Sequence, residues 1–463
     1  MNIRAAYGVL QLLTLVAALP HARRYFSTEK WGGYTESTPW LDALLSPVGV
    51  AALVAVWLAS AVCLAVGAAV VAAAAANLAL CYFFFVRLRW RSVLRGMGAP
   101  GFISFWLGAA VFLLALSDAH APTIRPLVLL TLQIDFALIM LSAGIYKVVA
   151  GYRTGDGMDL GLANPAWGYW SGWRTWPPGH WLFRVFNESA WATEVGAGLL
   201  MLVPATRVFG AGIIALSFVF IAAEIRLGFL CEMVIVCCVV CMGPGGPIAA
   251  PGAPLAAGLQ QAIAAVLVAY LVALPLVRIG MYYNQLAHKP LPRGLQSALD
   301  WYTNAFGLII WRVFTADVTN FFVRIWEEPA GDAPRREITA YAGVTGVARF
   351  RQVAECIALT SIFTTLKYYP SNRALFETRL VRYARTIRLT AAARLVFEWV
   401  FIAKQPDRFA FVPVAEFAVE PRTAVVEETV LSRIVSVRAA HAGSPVHEGA
   451  RPGSYAPLGP GSR

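Results

Sequence analysis

The sequence predicts an all-α polytopic membrane bundle of about eight or nine spanning helices, followed by a small α+β soluble domain and a disordered tail. Three observations predict it. The 463-residue chain is 58% hydrophobic and only 14% charged. Its apolar residues fall in blocks long enough to cross roughly 30 Å of hydrocarbon, which takes about 20 helical residues each. Beyond about residue 278 charges become frequent and strand-like alternation begins.

The first block, about 5–20, is short, but Pro20-His21-Ala22-Arg23 lacks a small-residue cleavage pattern, so it reads as a retained helix. No charge occurs between Asp42 and Arg87, which accommodates spans at about 47–66 and 68–86 with a turn near Gly67. Further blocks lie at about 101–117, 126–147, 190–206, 208–225, 227–243 and 257–277. Residues 1–277 therefore form the membrane domain, and 278–300 a linker.

Beyond the linker, Phe321-Phe322-Val323-Arg324-Ile325-Trp326 alternates like a half-buried strand. Pro329 to Asp332 makes a turn, and Glu337 to Tyr341 a partner strand. Residues about 347–368 have helical spacing that stops at Pro370-Ser371-Asn372. Leu375 to Ile387 alternates apolar and charged residues and suits another strand, and Phe409 to Val419 one more. Residues 301–420 thus read as an α+β domain docked on the bundle, and 421–463 as a mostly flexible tail. The end, Ala442 to Arg463, is rich in Gly, Pro and Ser and has too little apolar content to fold.

The net charge of +12 sits in loops and tail rather than in a compact patch. That distribution suits a lipid bilayer as partner, not nucleic acid. Of the seven cysteines, Cys63, Cys81, Cys231, Cys237, Cys238 and Cys241 lie in or beside apolar spans, which argues against a disulfide framework. Cys238-x-x-Cys241 lacks the βαβ surroundings of a redox motif and reads as packing. Histidines are scattered, with no spacing of a metal site and no phosphate-cradling Gly-rich loop, so no metal is expected.

The chemistry points to Lys147, which ends the apolar run through Ser142-Ala143-Gly144-Ile145-Tyr146. An ammonium near the end of a membrane helix either reaches the interface or loses its proton, and a neutral lysine is a usable base. The loop that follows holds Tyr152, Trp167, Trp170, Trp173, Trp176 and Trp181. Two readings of it stand, an interfacial aromatic belt or a lid over a flat or lipid-like ligand.

Asp135, Glu194, Glu224 and Glu232 fall inside spans, where ionisable groups are expensive and often functional. Asp135 is twelve residues from Lys147, about 18 Å along one helix and about 120° around it, so the two do not pair. Glu194 lies at the same end as Lys147. A Glu194–Lys147 pair would keep the lysine charged and oppose its use as a base. Glu232 reads as a buried functional or proton-carrying group.

Several stretches together resemble the vitamin K-dependent γ-glutamyl carboxylases and their bacterial relatives, the horizontally transferred transmembrane (HTTM) proteins. They are Ala143 to Lys147, the Gly151-Tyr152-Arg153-Thr154-Gly155-Asp156-Gly157-Met158 segment with Trp167, Asn77 to Phe85, and Gly108 to Ala119. Beyond the bundle, Trp301 to Gly307 with Trp311-Arg312-Val313-Phe314 resembles the family's post-membrane motif. The likeness covers roughly residues 1–390. It implies that Lys147 is the base that deprotonates a reduced, vitamin K hydroquinone-like quinone, with O2 and CO2 consumed if the reaction is a carboxylation. Two positions depart from the family. No histidine stands at Phe102-Ile103-Ser104, and Tyr146 replaces a basic residue. The shorter tail also leaves no room for the large lumenal β-domain of the vertebrate enzymes.

The leading expectation is a multi-pass membrane enzyme, a lyase or oxidoreductase, with Lys147 as base. Trp167, Trp170, Trp173, Tyr152, Glu194 and Glu232 would contact a quinone- or lipid-like molecule or a peptide substrate. The alternative is a non-catalytic membrane subunit that binds a partner protein through the aromatic loop and soluble domain. A transporter built around Asp135, Glu194 and Glu232 is a third reading. The expected location is the cell inner membrane. The positive-inside rule puts the lysine loop in the cytoplasm, whereas the resemblance puts it on the opposite face.

Overall fold

The computed structural model describes residues 2–243, 246–285, 289–311, 316–329, 331, 333–339, 349–387 and 393–432. Among these, seven helical segments are long and apolar enough to cross a membrane: Ile3–Phe26, Pro47–Val66, Val70–Arg87, Arg95–His120, Pro122–Val149, Arg207–Glu224 and Ala257–Asn284.

The chain opens with α1 (Ile3–Ala18), capped by the Asn2 side chain, which accepts from the Arg4 and Ala5 amides. Short α2 (Ala22–Phe26) and α3 (Pro39–Leu44) lead to α4 (Pro47–Val66). Ser46 caps α4 at one end, and Gly67 terminates it at a φ of +90°, where a side chain would be strained. Next, α5 (Val70–Cys81) continues as a π-helical turn over Tyr82–Arg87. The bundle is completed by α6 (Gly98–His120), α7 (Arg125–Val149), the short α8 (Met158–Ala163), α9 (Trp181–Leu202), α10 (Arg207–Glu224), α11 (Leu230–Met242) and α12 (Ala257–Gln285).

Two blocks that the sequence offers as spans are not among the seven. Residues 190–206 fall mostly in α9, which carries Arg184, Glu188 and Glu194. Residues 227–243 contain α11, whose 13 residues reach only about 20 Å. Its apolar content reflects packing inside the protein, since Cys231, Val234, Cys237, Cys238 and Cys241 are all buried. In the other direction, α12 runs beyond residue 277 because the charge of Arg278 is met inside the bundle by Asp135 at 3.1 Å.

Past α12 come α13 (Arg293–Phe306), α14 (Ala316–Thr319), α15 (Arg349–Tyr368) and α16 (Arg373–Ala384). The strands are β1 (Phe321–Glu328), β2 (Arg336–Glu337), β3 (Arg394–Lys404), β4 (Phe409–Glu420) and β5 (Val425–Val430). They form one antiparallel sheet in the order β2-β1-β3-β4-β5. The strand expected at Leu375 to Ile387 is instead helical over α16. Asn372 caps it, accepting from the Leu375 amide at 3.1 Å, and Phe376, Leu380, Tyr383 and Ala384 recur at helical spacing on its buried face. Strand β5 lies in the stretch assigned to the tail, while residues 433–463, including the Gly/Pro/Ser-rich end, fall outside the described residues.

The sheet unit packs on the bundle rather than standing apart. Trp311 is buried edge-on against Phe102 of α6, with ring centroids 5.8 Å apart, whereas Phe314 lies outside the described residues. Asn164 donates to the Thr319 and Phe321 carbonyls, both at 2.8 Å, and so fixes the start of β1.

The strongest tie is Glu355 of α15, which is fully buried. It pairs with Arg24 at 2.9 Å and accepts from the hydroxyls of Tyr25 (3.1 Å), Tyr34 (3.4 Å) and Tyr383 (2.6 Å). The Arg24 guanidinium also lies over the rings of Tyr34 and Tyr383, at 5.2 and 5.1 Å. Burial, with the Glu355 charge beside them, pushes the Tyr34 and Tyr383 hydroxyls well above their ordinary pKa, so they remain donors.

Removal of Glu355 leaves Arg24 buried without its anion, a loss of about 3–5 kcal/mol. Glu355→Ala is therefore expected to lower the thermal unfolding midpoint in detergent and open the C-terminal unit to limited proteolysis. Wild-type resistance of the variant would show that apolar packing alone holds the unit in place.

Candidate functional site

The site is set by how closely α7 and α9 approach. Leu141 faces Gly198, Gly144 faces Val195 and Lys147 faces Glu194, so the two helices run antiparallel. A Cβ on Gly144 would stand 2.7 Å from the Val195 backbone nitrogen, and one on Gly198 would stand 2.7 Å from that of Leu141. Both glycines are needed because backbone meets backbone at this contact. The same approach brings Lys147, two residues before the end of α7, against Glu194 in the middle of α9.

Lys147 and Glu194 are 4% and 3% exposed and form a direct ion pair between Nζ and Oε1. Nζ also lies 5.8 Å from the centroid of the Tyr152 ring, which is buried beneath it. Oε2 of Glu194 is buried with no hydrogen-bond partner among the described residues, and so is Nε1 of Trp311. Lys147, Glu194 and Trp311 line a cavity of about 50 Å³, together with Met158, Phe218 and Leu227. Its rim includes Ser189 and Phe220, both exposed on α9 and α10. The cavity thus opens sideways between those helices.

A space of about 50 Å³ accommodates a water or a small polar substituent, whereas a benzene ring takes about 150 Å³. The couple itself is an acid–base device. One proton is divided between an amine and a carboxylate, and the couple has a place for a second. The unpartnered Trp311 N–H offers a donor to whatever negative charge that proton leaves behind.

The aromatic loop faces elsewhere. Trp173 packs edge-on against Trp170 and Trp176, at 4.8 and 5.0 Å, and donates to Glu224 at 3.0 Å. Phe183 continues the cluster to Phe409 of β4 at 5.6 Å. Lys404 of β3 pairs with Asp156 at 2.8 Å and with Asp159, clamping the sheet to the loop. Neither Trp170 nor Trp173 lines the cavity beside Lys147, and Trp167 lines a different, larger one. Glu232 sits in the first turn of α11 and lines neither.

Asp135 accepts from Trp106 (2.9 Å), Tyr270 (2.9 Å) and Arg278 (3.1 Å), a filled network tying α6, α7 and α12 together. Trp311 and Leu227 are site residues that the sequence did not single out as such. The only signal for Trp311 was its place in the post-membrane motif, and Leu227 carries none. Among the described residues, no cluster of three His, Cys, Asp or Glu side chains could hold a metal ion.

No protein-family model matches the chain, and no curated protein or solved structure shows significant similarity to it.

Gly144→Ala forces α7 and α9 apart, because the atoms its methyl group meets include the Val195 nitrogen and the Trp191 carbonyl oxygen, both backbone. A loss of about 1–3 kcal/mol is expected. Gly198→Ala should behave alike, and the double variant should lose less than the sum, since one separation relieves both clashes. Thermal unfolding of the three variants in detergent measures this. Neutral behaviour of Gly144→Ala would mean that the contact is looser than described.

Proposed function

We propose that this is a multi-pass membrane enzyme of the γ-glutamyl carboxylase/HTTM type, whose Lys147–Glu194 couple takes a proton from a quinone- or lipid-like substrate. The observation that carries the reading is the open oxygen of Glu194. A buried ion pair that serves only the fold has its remaining lone pairs satisfied, as Asp135 does. Glu194 instead lines a cavity together with Lys147 and Trp311, and its Oε2 has no partner among the described residues.

The couple reconciles the close carboxylate with base catalysis. A substrate hydroxyl entering between α9 and α10 meets Oε2 as acceptor. The couple reacts from its neutral form, amine beside carboxylic acid: the substrate proton passes to Oε2 as the proton on Oε1 moves to Nζ, so the couple ends as ammonium plus carboxylic acid. The substrate oxygen, now negative, is held by the Lys147 ammonium and the Trp311 N–H. Such a positioned base contributes typically about 10²–10⁴-fold in rate. The cavity does not enclose a quinol ring, so the reacting group enters it while the body of the molecule stays in the lipid between α9 and α10. The alternative of a non-catalytic subunit has less support. Trp167 and Trp173 are buried and the loop is packed against the sheet, which leaves Trp170 and Trp181 as its exposed tryptophans.

Lys147→Arg keeps the charge but cannot give up its proton. It and Glu194→Gln are expected to reduce turnover by about 100-fold or more. Replacement of both partners by methionine removes the chemistry without leaving a lone buried charge, so that double variant should fold and be inactive. The assay follows consumption of a reduced quinone, or of the co-purified amphiphile identified by mass spectrometry, at matched protein levels. A well-folded double-methionine variant with near-wild-type turnover would reduce the couple to a packing element.

A further inference from the structure

A second cavity, of about 470 Å³, lies where the bundle meets the C-terminal unit. It is separate from the Lys147 site, which it touches only through Leu227. Its two sides differ in chemistry. One is apolar, with Phe85, Phe102, Leu227, Ile309 and Ile310. The other carries Arg89, Arg95, Ser361, Thr364 and Tyr369.

The polar side is cationic beyond its lining. Arg95 donates to Ser361 Oγ at 3.1 Å and lies 5.1 Å from the Trp90 ring, and no carboxylate among the described residues pairs with it. Behind it, Arg379 donates to Thr365 at 2.7 Å, again with no carboxylate in ion-pair contact among the described residues. Burial, together with the nearby Arg95 charge, pushes the Arg379 guanidinium down to about 10. Two cations that crowd one another around hydroxyl donors are a place where an anion belongs. The start of α6 adds to it, since Gly98, Ala99 and Pro100 line the cavity and the cap residue, Met97, gives the first turn no side-chain hydrogen bond.

The level in the membrane is also defined. Helix α13 exposes Leu295 (56%) and Trp301 (68%) just beyond the last span, as an interfacial helix does. Trp90 donates to Asn304 of that helix at 3.2 Å, and Gly307, immediately after it, lines the cavity. The cationic side therefore lies at headgroup depth, with the apolar side beside it.

We propose that this cavity is a binding site for an anionic phospholipid, with the phosphate at Arg95 and the acyl chains along the Phe102 wall. A phosphate presents several acceptor oxygens at tetrahedral spacing. It can take the guanidinium fork and the hydroxyls of Ser361 and Tyr369 together, which a planar carboxylate does less fully.

The test uses full-length protein, delipidated in a nonionic detergent, with dioctanoyl-phosphatidylglycerol as probe. Native mass spectrometry and thermal unfolding should show a one-to-one adduct and a raised midpoint. Dioctanoylglycerol, with the same chains and no phosphate, and inorganic phosphate, with no chains, should each bind at least about tenfold more weakly. Arg95→Gln should weaken the phospholipid by about tenfold or more. Ile310→Trp narrows the cavity without removing a charge and should do the same, so it decides the matter if Arg95→Gln fails to fold. Undiminished phospholipid binding by the folded variants would overturn the assignment. So would equal binding of dioctanoylglycerol, which removes the need for an anion, or equal binding of inorganic phosphate, which removes the need for the apolar wall.

Discussion

A charge carried out of water has to meet its opposite, and this constraint organises the molecule. Lys147 meets Glu194, Arg278 meets Asp135, Arg125 meets Asp118 and Arg24 meets Glu355. Within lipid, apolar faces gain little by finding one another, since the tails are as apolar as leucine. The pairs supply the specificity that the hydrophobic effect cannot. Three of the four join different helices: α7 to α9, α7 to α12, and α2 to α15. The fourth, Arg125 with Asp118, holds the turn between α6 and α7, and Asp118 also accepts from the Ile248 amide at 2.6 Å.

Two of these pairs sit on the same helix, and their carboxylates differ in how fully they are hydrogen-bonded. Asp135 accepts three hydrogen bonds, one from α6 and two from α12, which engage both of its oxygens. Glu194, held by a single lysine, lines a cavity and keeps one oxygen without a partner among the described residues. The difference follows from neighbours. Around Asp135, α12 brings Tyr270 and Arg278. Around Glu194, the glycine contact presses α7 and α9 together, and the α10 side of the cavity carries Ser217, Phe218, Phe220 and Ile221, none of which bonds Oε2.

The membrane blocks and the lysine at the end of α7 were legible in the sequence because an apolar run that stops at a charge has few other meanings. What failed is instructive. Hydropathy does not distinguish a helix facing lipid from one enclosed by protein, so the apolar α11 reads as a span. The same measure ended α12 too early, because Arg278 looks like an exit into water until Asp135 is known to stand opposite. At α16, alternation over Leu375 to Ile387 coexisted with the helical spacing of Phe376, Leu380, Tyr383 and Ala384, and the Asn372 cap was the signal that could have decided between them. The tryptophan loop advertised aromatic density but not direction. Which ring faces a ligand and which faces Phe409 depends on a sheet formed more than 200 residues later. The couple of Lys147 and Glu194 was half legible, since the two apolar segments are joined by one loop and run back against each other, although Glu194 stands in the middle of α9 rather than at its start; Trp311 reaches the cavity only through tertiary folding.

The tie between Arg24 and Glu355 spans 331 positions of chain. A ribosome makes the first of these residues early and the second only after every membrane segment has been synthesised, at a pace of about 5–20 residues per second. For that interval, tens of seconds long, Arg24, Tyr25 and Tyr34 form a prepared socket with no carboxylate in it. The first span must therefore keep its arginine near water or lipid phosphate until α15 arrives, and only then can it take its final depth. Completion of the bundle is a late event, governed by the last third of the polypeptide. A product that stops short of residue 355 would carry an exposed cation beside unsealed aromatic rings, a mark by which the cell can tell an unfinished copy from a finished one.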